Sequence, residues 1–151
     1  ILNNNISLLK MAVVIQMTLP GVPLIYYGDE AGLTGGKDPS NRKSYPWEKE
    51  NEEILYFYKS IGMIRATEEA LKNGEIRFLH FNKEVLGYER ILDNEKIIVI
   101  INTMEKEEKI SLFNINDDIV NLIDKEEEYY IENGQLDITL KAQEFKILKI
   151  L

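Results

Sequence analysis

A chain of 151 residues is long enough for one ordinary domain, or for a small domain with an appended segment, and buries roughly 68–70% of its unfolded surface. Hydrophobic residues make up 44% and charged residues 29%, a balance that excludes wholesale disorder. The net charge of −8 comes with Lys and Arg interspersed among acids, which argues against nucleic acid as a partner, because counterion release needs clustered cations.

No apolar run approaches the ~20 residues that span a bilayer, so no membrane partner is expected. An acidic surface suits a neutral ligand such as a sugar. The absence of cysteine excludes disulfides and thiolate metal sites. A single histidine, His80, leaves no basis for a His-based metal centre, so neither cofactor nor metal is expected. His80 itself reads as a satisfied strand residue rather than a base.

The chain opens Ile1-Leu2-Asn3-Asn4-Asn5, with no basic region ahead of an apolar stretch. That is not a signal peptide, and it reads like the middle of a longer polypeptide. Asn3 to Asn5 and Ser7 offer N-cap side chains. Ile6, Leu9, Val13 and Met17 then recur at helical spacing, widened by Leu8, Ala12, Val14 and Ile15, which predicts a largely buried helix over 3–17. Pro20-Gly21 ends it. The continuous apolar run 22–27 predicts a strand covered on both faces. A polar, Gly- and Pro-rich loop follows over 28–45, of a length that is usually functional. A second helix is expected over 51–65, with Ile54, Phe57, Tyr58, Ile61 and Ile64 as its inner stripe and acids near its N-terminus.

From about Asn73 the pattern changes to period two. Strands are expected over 76–81, 85–92, 96–102, 109–113, 119–123, 129–131, 136–140 and 144–150. Turn signals lie at Asn73-Gly74, Asn82-Lys83, Asp93-Asn94 and Asn133-Gly134. The last is the strongest hairpin signal. Many short strands at regular spacing imply an antiparallel sandwich or barrel. The charge runs 105–109 and 124–128 read as solvated turns.

The most informative stretch is Leu19-Pro20-Gly21-Val22-Pro23-Leu24-Ile25-Tyr26-Tyr27-Gly28-Asp29-Glu30, continued by Gly35-Gly36-Lys37-Asp38-Pro39-Ser40-Asn41-Arg42 and closed by Pro46-Trp47. It resembles the final barrel strand and following loop of the α-amylase family of glycoside hydrolases. Within that family it is most similar to the neopullulanase, cyclomaltodextrinase and maltogenic amylase group. The resemblance is sharp over about 8–65 and weaker beyond.

It implies an α+β chain in two domains. Residues 1–70 would be the last helix–strand–helix portion of a TIM (β/α)8 barrel: helix seven, strand eight, active-site loop and helix eight. Residues 71–151 would be an antiparallel β-sandwich of Greek-key type. Active sites of such barrels lie at the C-terminal ends of the strands, which makes 28–47 an active-site loop. By match to the family's pattern, Asp38 and Arg42 would hydrogen-bond a glucosyl unit, an acceptor and a planar donor fork gripping vicinal hydroxyls. The residues themselves allow an equal alternative, in which Asp38 and Arg42, four apart, pair and brace the loop. Lys43 stands where the family commonly has a second arginine. Trp47 reads as a packing residue.

Retaining glycosidases need two carboxylates about 5–5.5 Å apart. Asp29 and Glu30, as neighbours at a strand end, should project to opposite sides and read as rim residues of the cleft. The resemblance puts the catalytic carboxylates on earlier strands, ahead of Ile1, so the chain by itself is expected to be inactive and to hold no catalytic residue. It implies α-glucan or maltooligosaccharide as the partner of the parent protein and the cytoplasm as its compartment. Self-association through exposed barrel elements is expected of the isolated piece. The alternative is a non-catalytic carbohydrate-binding or barrel-stabilising module, with Tyr88, Tyr129 and Tyr130 as possible sugar-facing aromatics.

Overall fold

The computed structural model describes residues 4–81 and 84–151. Helix α1 (Ile6–Thr18) is followed by a single 3-10 turn (Asp29–Ala31), helix α2 (Glu52–Thr67) and a short helix α3 (Glu69–Asn73). Among the described residues seven strands follow: β1 (Glu75–Leu79), β2 (Val85–Leu92), β3 (Glu95–Asn102), β4 (Glu108–Phe113), β5 (Ile119–Asn121), β6 (Gln135–Leu140) and β7 (Phe145–Ile150).

Both long helices start where their caps dictate. The Asn5 and Asn51 side chains accept from the amides of Leu8 and Ile54 at 3.1 and 3.0 Å, and each satisfies one of the donors a helix start leaves free. Asn3, where the first helix was expected to begin, and the Asn82-Lys83 turn lie outside the described residues.

The strands form a five-stranded antiparallel sheet in the order β1-β2-β3-β7-β5 and a two-stranded sheet of β4 and β6. One face of β3 sends Ile97, Val99 and Ile101 against Met11, Val14, Ile61 and Leu71 of the helices. The other sends Ile98 and Ile100 against Ile110, Leu112, Ile138 and Leu140 of the smaller sheet. The molecule is therefore three layers deep: helices, large sheet, small sheet. A strand buried on both faces needs apolar side chains at every position, and 97–101 is an unbroken run of Ile and Val. The helical layer and the large sheet share one apolar core. Lys149 on β7 adds a polar tie, 2.6 Å from Glu68, which lies between α2 and α3.

The strand expected over 22–27 is not formed. A strand exists by pairing, and no other strand among the described residues runs beside this one. Instead Gln16 Nε2 donates to the Leu24 carbonyl at 2.5 Å, and Val22 stays 96% exposed. The segment 129–131 also forms no strand. Asn133 and Gly134 make the expected turn, with φ of 51° and 77°, but only one bridge, Glu132 to Gln135, spans it. Strand β6 pairs with β4 instead, which buries Leu136, Ile138 and Leu140.

His80 follows β1 and is exposed rather than held in a strand. The charge runs are only partly solvated. Glu108 is buried, and Glu127 reaches inward to the buried ammonium of Lys146 at 2.5 Å.

Candidate substrate-binding loop

The loop between α1 and α2 is shaped by two glycines. Gly28 and Gly32 take φ of 86° and 72°, the left-handed region where a Cβ is costly, and they bracket the 3-10 turn. The Leu33 amide returns to the Gly28 carbonyl at 2.8 Å, and the Asn51 amide donates to Ala31 at 2.9 Å. The turn is thus anchored to the cap of α2. Further along, Ser40 and Arg42 amides close two small turns onto Lys37 and Pro39, and the Asp38–Pro39 peptide is cis. Tyr27 Oη donates to the Lys43 carbonyl at 3.0 Å and ties the far end of the loop to its start.

Asp38 and Arg42 are brought together. Arg42 Nη2 lies 2.7 Å from Asp38 Oδ2, with the two side chains 69% and 57% exposed. The brace that the spacing allowed is therefore present. Because only one N–H of the guanidinium fork is in this contact, both groups still present donors and acceptors to solvent.

Asp29 and Glu30 sit in the 3-10 turn rather than at a strand end. The strand alternation that was to separate them does not operate, yet their environments differ. Asp29 is exposed and lines both clefts of the loop. The larger, about 500 Å³, is walled by Asn4, Asn5, Asp29, Leu33, Gly35 and Asn51. The smaller, about 150 Å³, is walled by Tyr26, Tyr27, Asp29, Gly36 and Asn41. Asp38 and Arg42 line neither.

Glu30 points inward, and its Oε2 is buried without a hydrogen-bond partner among the described residues. Partial desolvation, and then the charge of Glu30, push the Asp29 carboxyl above its ordinary range. Burial, followed by the charges of Asp29 and Glu30, pushes the Tyr58 phenol up to about 12. Burial also raises the Tyr45 phenol, as do the neighbouring charges of Glu30 and Glu50 and a hydrogen bond to Glu30. Of these groups Asp29 alone faces the clefts, beside Tyr26 and Tyr27 in the smaller one, where a carboxylate accepts hydrogen bonds from hydroxyls and repels anions.

Trp47 is not a packing residue. It is 75% exposed and rests on Tyr45, ring centroids 4.5 Å apart, so the pair presents an open aromatic face. Of the tyrosines considered as sugar contacts, Tyr88 is fully buried, Tyr129 is half-buried and Tyr130 is exposed, so they make no row. Among the described residues no group of three His, Asp or Glu side chains could hold a metal ion. No helix among them is long and apolar enough to cross a membrane. Asp29, read from the sequence as a rim residue of the cleft, is a wall of both clefts together with Leu33, Thr34 and Gly35.

Helices carrying a Gly-rich loop, packed on antiparallel sheets, match the C-terminal regions of α-amylase-family glycoside hydrolases. The chain superposes on the α-amylase of Geobacillus thermoleovorans, solved with acarbose, with a TM-score of 0.89 and 25% identity over 99% of this chain and 34% of that one. It is 34% identical to the maltogenic α-amylase of Bacillus acidopullulyticus, over 96% of this chain and 26% of that protein. It is 44% identical to the amylopullulanase of Thermoanaerobacter thermohydrosulfuricus, over 58% of this chain and 6% of that protein. No family model matches. The chain is thus homologous to a region of α-amylase-family enzymes, and it spans about a quarter or less of the length of these two relatives.

Proposed function

We propose that this chain is the C-terminal part of a retaining α-1,4-glucan hydrolase whose catalytic carboxylates lie outside it. On this reading residues 1–70 complete the catalytic barrel as helix seven, strand eight, active-site loop and helix eight. Residues 71–151 form the C-terminal sandwich. Asp38 and Arg42 grip a glucosyl unit of an α-glucan or maltooligosaccharide, Asp29 and Glu30 form the cleft rim, and the compartment is the cytoplasm.

The observation that carries the reading is the placement of the Gly28–Arg42 motif on a loop anchored between two helices, in a fold that overlays an acarbose-bound α-amylase along 99% of the chain. The missing strand over 22–27 fits it, since a barrel strand forms only beside its neighbours. By the same logic the exposed apolar run draws isolated copies together.

Two measurements test it. The purified 151-residue chain should release no sugar from cyclodextrin, pullulan or soluble starch. Turnover that disappears on Asp29→Asn or Glu30→Gln would place the chemistry inside this chain and overturn the proposal. In a full-length enzyme carrying this stretch, Asp38→Ala should lower kcat/KM for maltooligosaccharides about 10- to 100-fold, the loss of a charge-assisted hydrogen bond. Its melting temperature should barely move, because exposed ion pairs add little. Unchanged kcat/KM would leave Asp38 as a loop brace only.

A second reading, a non-catalytic module that stabilises the barrel, is favoured by the shared core of helices and large sheet. The two are compatible, since one piece can do both.

A further inference from the structure

The last turn of a helix leaves backbone carbonyls without amide partners, and Pro20, just beyond α1, has no N–H to offer. Two guanidinium groups meet these carbonyls instead. Arg65 of α2 donates to Met17 at 2.5 Å, Leu19 at 3.3 Å and Gly21 at 2.5 Å. Arg90 of β2 donates to Thr18 at 2.5 Å, and also to Leu71 at 2.9 Å and Gly74 at 2.7 Å, at the end of α3. Beside it, the hydroxyls of Tyr88 and Thr18 are 2.5 Å apart.

Arg90 is unusual in its surroundings. It is 0% exposed, its hydrogen bonds all go to carbonyl oxygens, and its Nε has no partner among the described residues. Burying a cation without a carboxylate is costly. The carbonyl ends of α1 and α3 supply the compensating negative potential. Burial, and then the charge of Arg65, hold the guanidinium below its ordinary value, as expected for two cations drawn to neighbouring carbonyls of one turn.

We propose that Arg65 and Arg90 form a latch on the 17–21 turn, and that through Arg90 the large sheet positions the segment that leads into the loop. The path is short. Gly21, held by Arg65, is followed by Leu24, whose carbonyl is held by Gln16, and then by Gly28 at the start of the 3-10 turn. Arg65 and Arg90 are positioning residues on this account. The inference is independent of the glucan reading, because its test uses no sugar.

The test is amide hydrogen exchange on the 151-residue chain, comparing Met17, Thr18 and Leu19 with Val99 and Ile100 of β3. Arg90→Met should speed exchange at residues 17–19 about tenfold or more, the scale of hydrogen bonds to a charged group, while β3 holds its protection. Arg90→Lys should restore part of the loss, since an ammonium keeps the charge without the planar fork. Equal acceleration in both sets would make Arg90 an ordinary core residue and sink the proposal, as would unchanged exchange at 17–19. Should Arg90→Met fail to fold, Arg65→Gln decides. It alters a less buried side chain and must loosen residues 17–19 with β3 unchanged; protected amides there would overturn the latch.

Discussion

At Gly74 the backbone has φ −71° and ψ 156°, a conformation open to any residue, so the glycine is not there for torsional freedom. A methyl group at this position would lie 2.5 Å from the Ala70 carbonyl oxygen and 2.7 Å from that of Ile91. Both are backbone atoms and neither can step aside. Gly74→Ala should therefore cost about 2 kcal/mol, in the range of overpacked interiors, read as a lower urea midpoint with an unchanged slope. The sequence marked Asn73-Gly74 as a turn. It could not show that the glycine also lets α3 end against β2, because Ile91, which crowds it from β2, is distant in the chain. For Asp38 and Arg42 the sequence allowed two readings, a sugar contact and a local brace. Their spacing of four allowed a local pair, and the pair forms.

Among the elements, the polar cluster behind β7 holds a carboxyl below its ordinary range. Lys146 is 5% exposed and meets Glu127 at 2.5 Å. Glu127 also accepts from Asn121 at 2.7 Å and Tyr129 at 2.5 Å. Burial alone would raise the Glu127 carboxyl, but the hydrogen bonds from Lys146, Tyr129 and Asn121, helped by the Lys146 charge, hold it below its ordinary value of 4.5. A carboxyl depressed in the folded state stabilises the fold above its unfolded pKa, and that contribution is lost as pH falls through the folded one. Urea midpoints should therefore drop as pH is lowered below about 4.5. Glu127→Gln should remove this component and cost about 2 kcal/mol at pH 7. A variant with the wild-type acid profile would show that another group controls it. Periodicity located β5 and β7 but read 124–128 as a solvated turn. A charge run looks the same in sequence whether one of its members points out or in.

For the whole molecule, the uncovered stretch around Val22, Leu24 and Ile25 is the main liability. Apolar side chains beside unpaired backbone favour association. Sedimentation velocity of the isolated chain should show weight-average mass rising with concentration, and Val22→Lys with Leu24→Lys should suppress the rise. A concentration-independent monomer would mean that the stretch is inert.

At this scale the division between local and non-local information is clear. The sequence alone determined α1, α2 and the strand identity of 85–92 and 96–102, because helix stripes, Asn caps and β-branched runs act between near neighbours. It also carried the loop motif, whose glycines are needed by local torsions. Only the tertiary structure decided three further matters: that 22–27 has no ladder, that β6 pairs with β4, and that the Arg90 guanidinium donates to carbonyls at two helix ends. Each depends on a hydrogen-bond partner distant in sequence, and no pattern within a segment records whether that partner will be there.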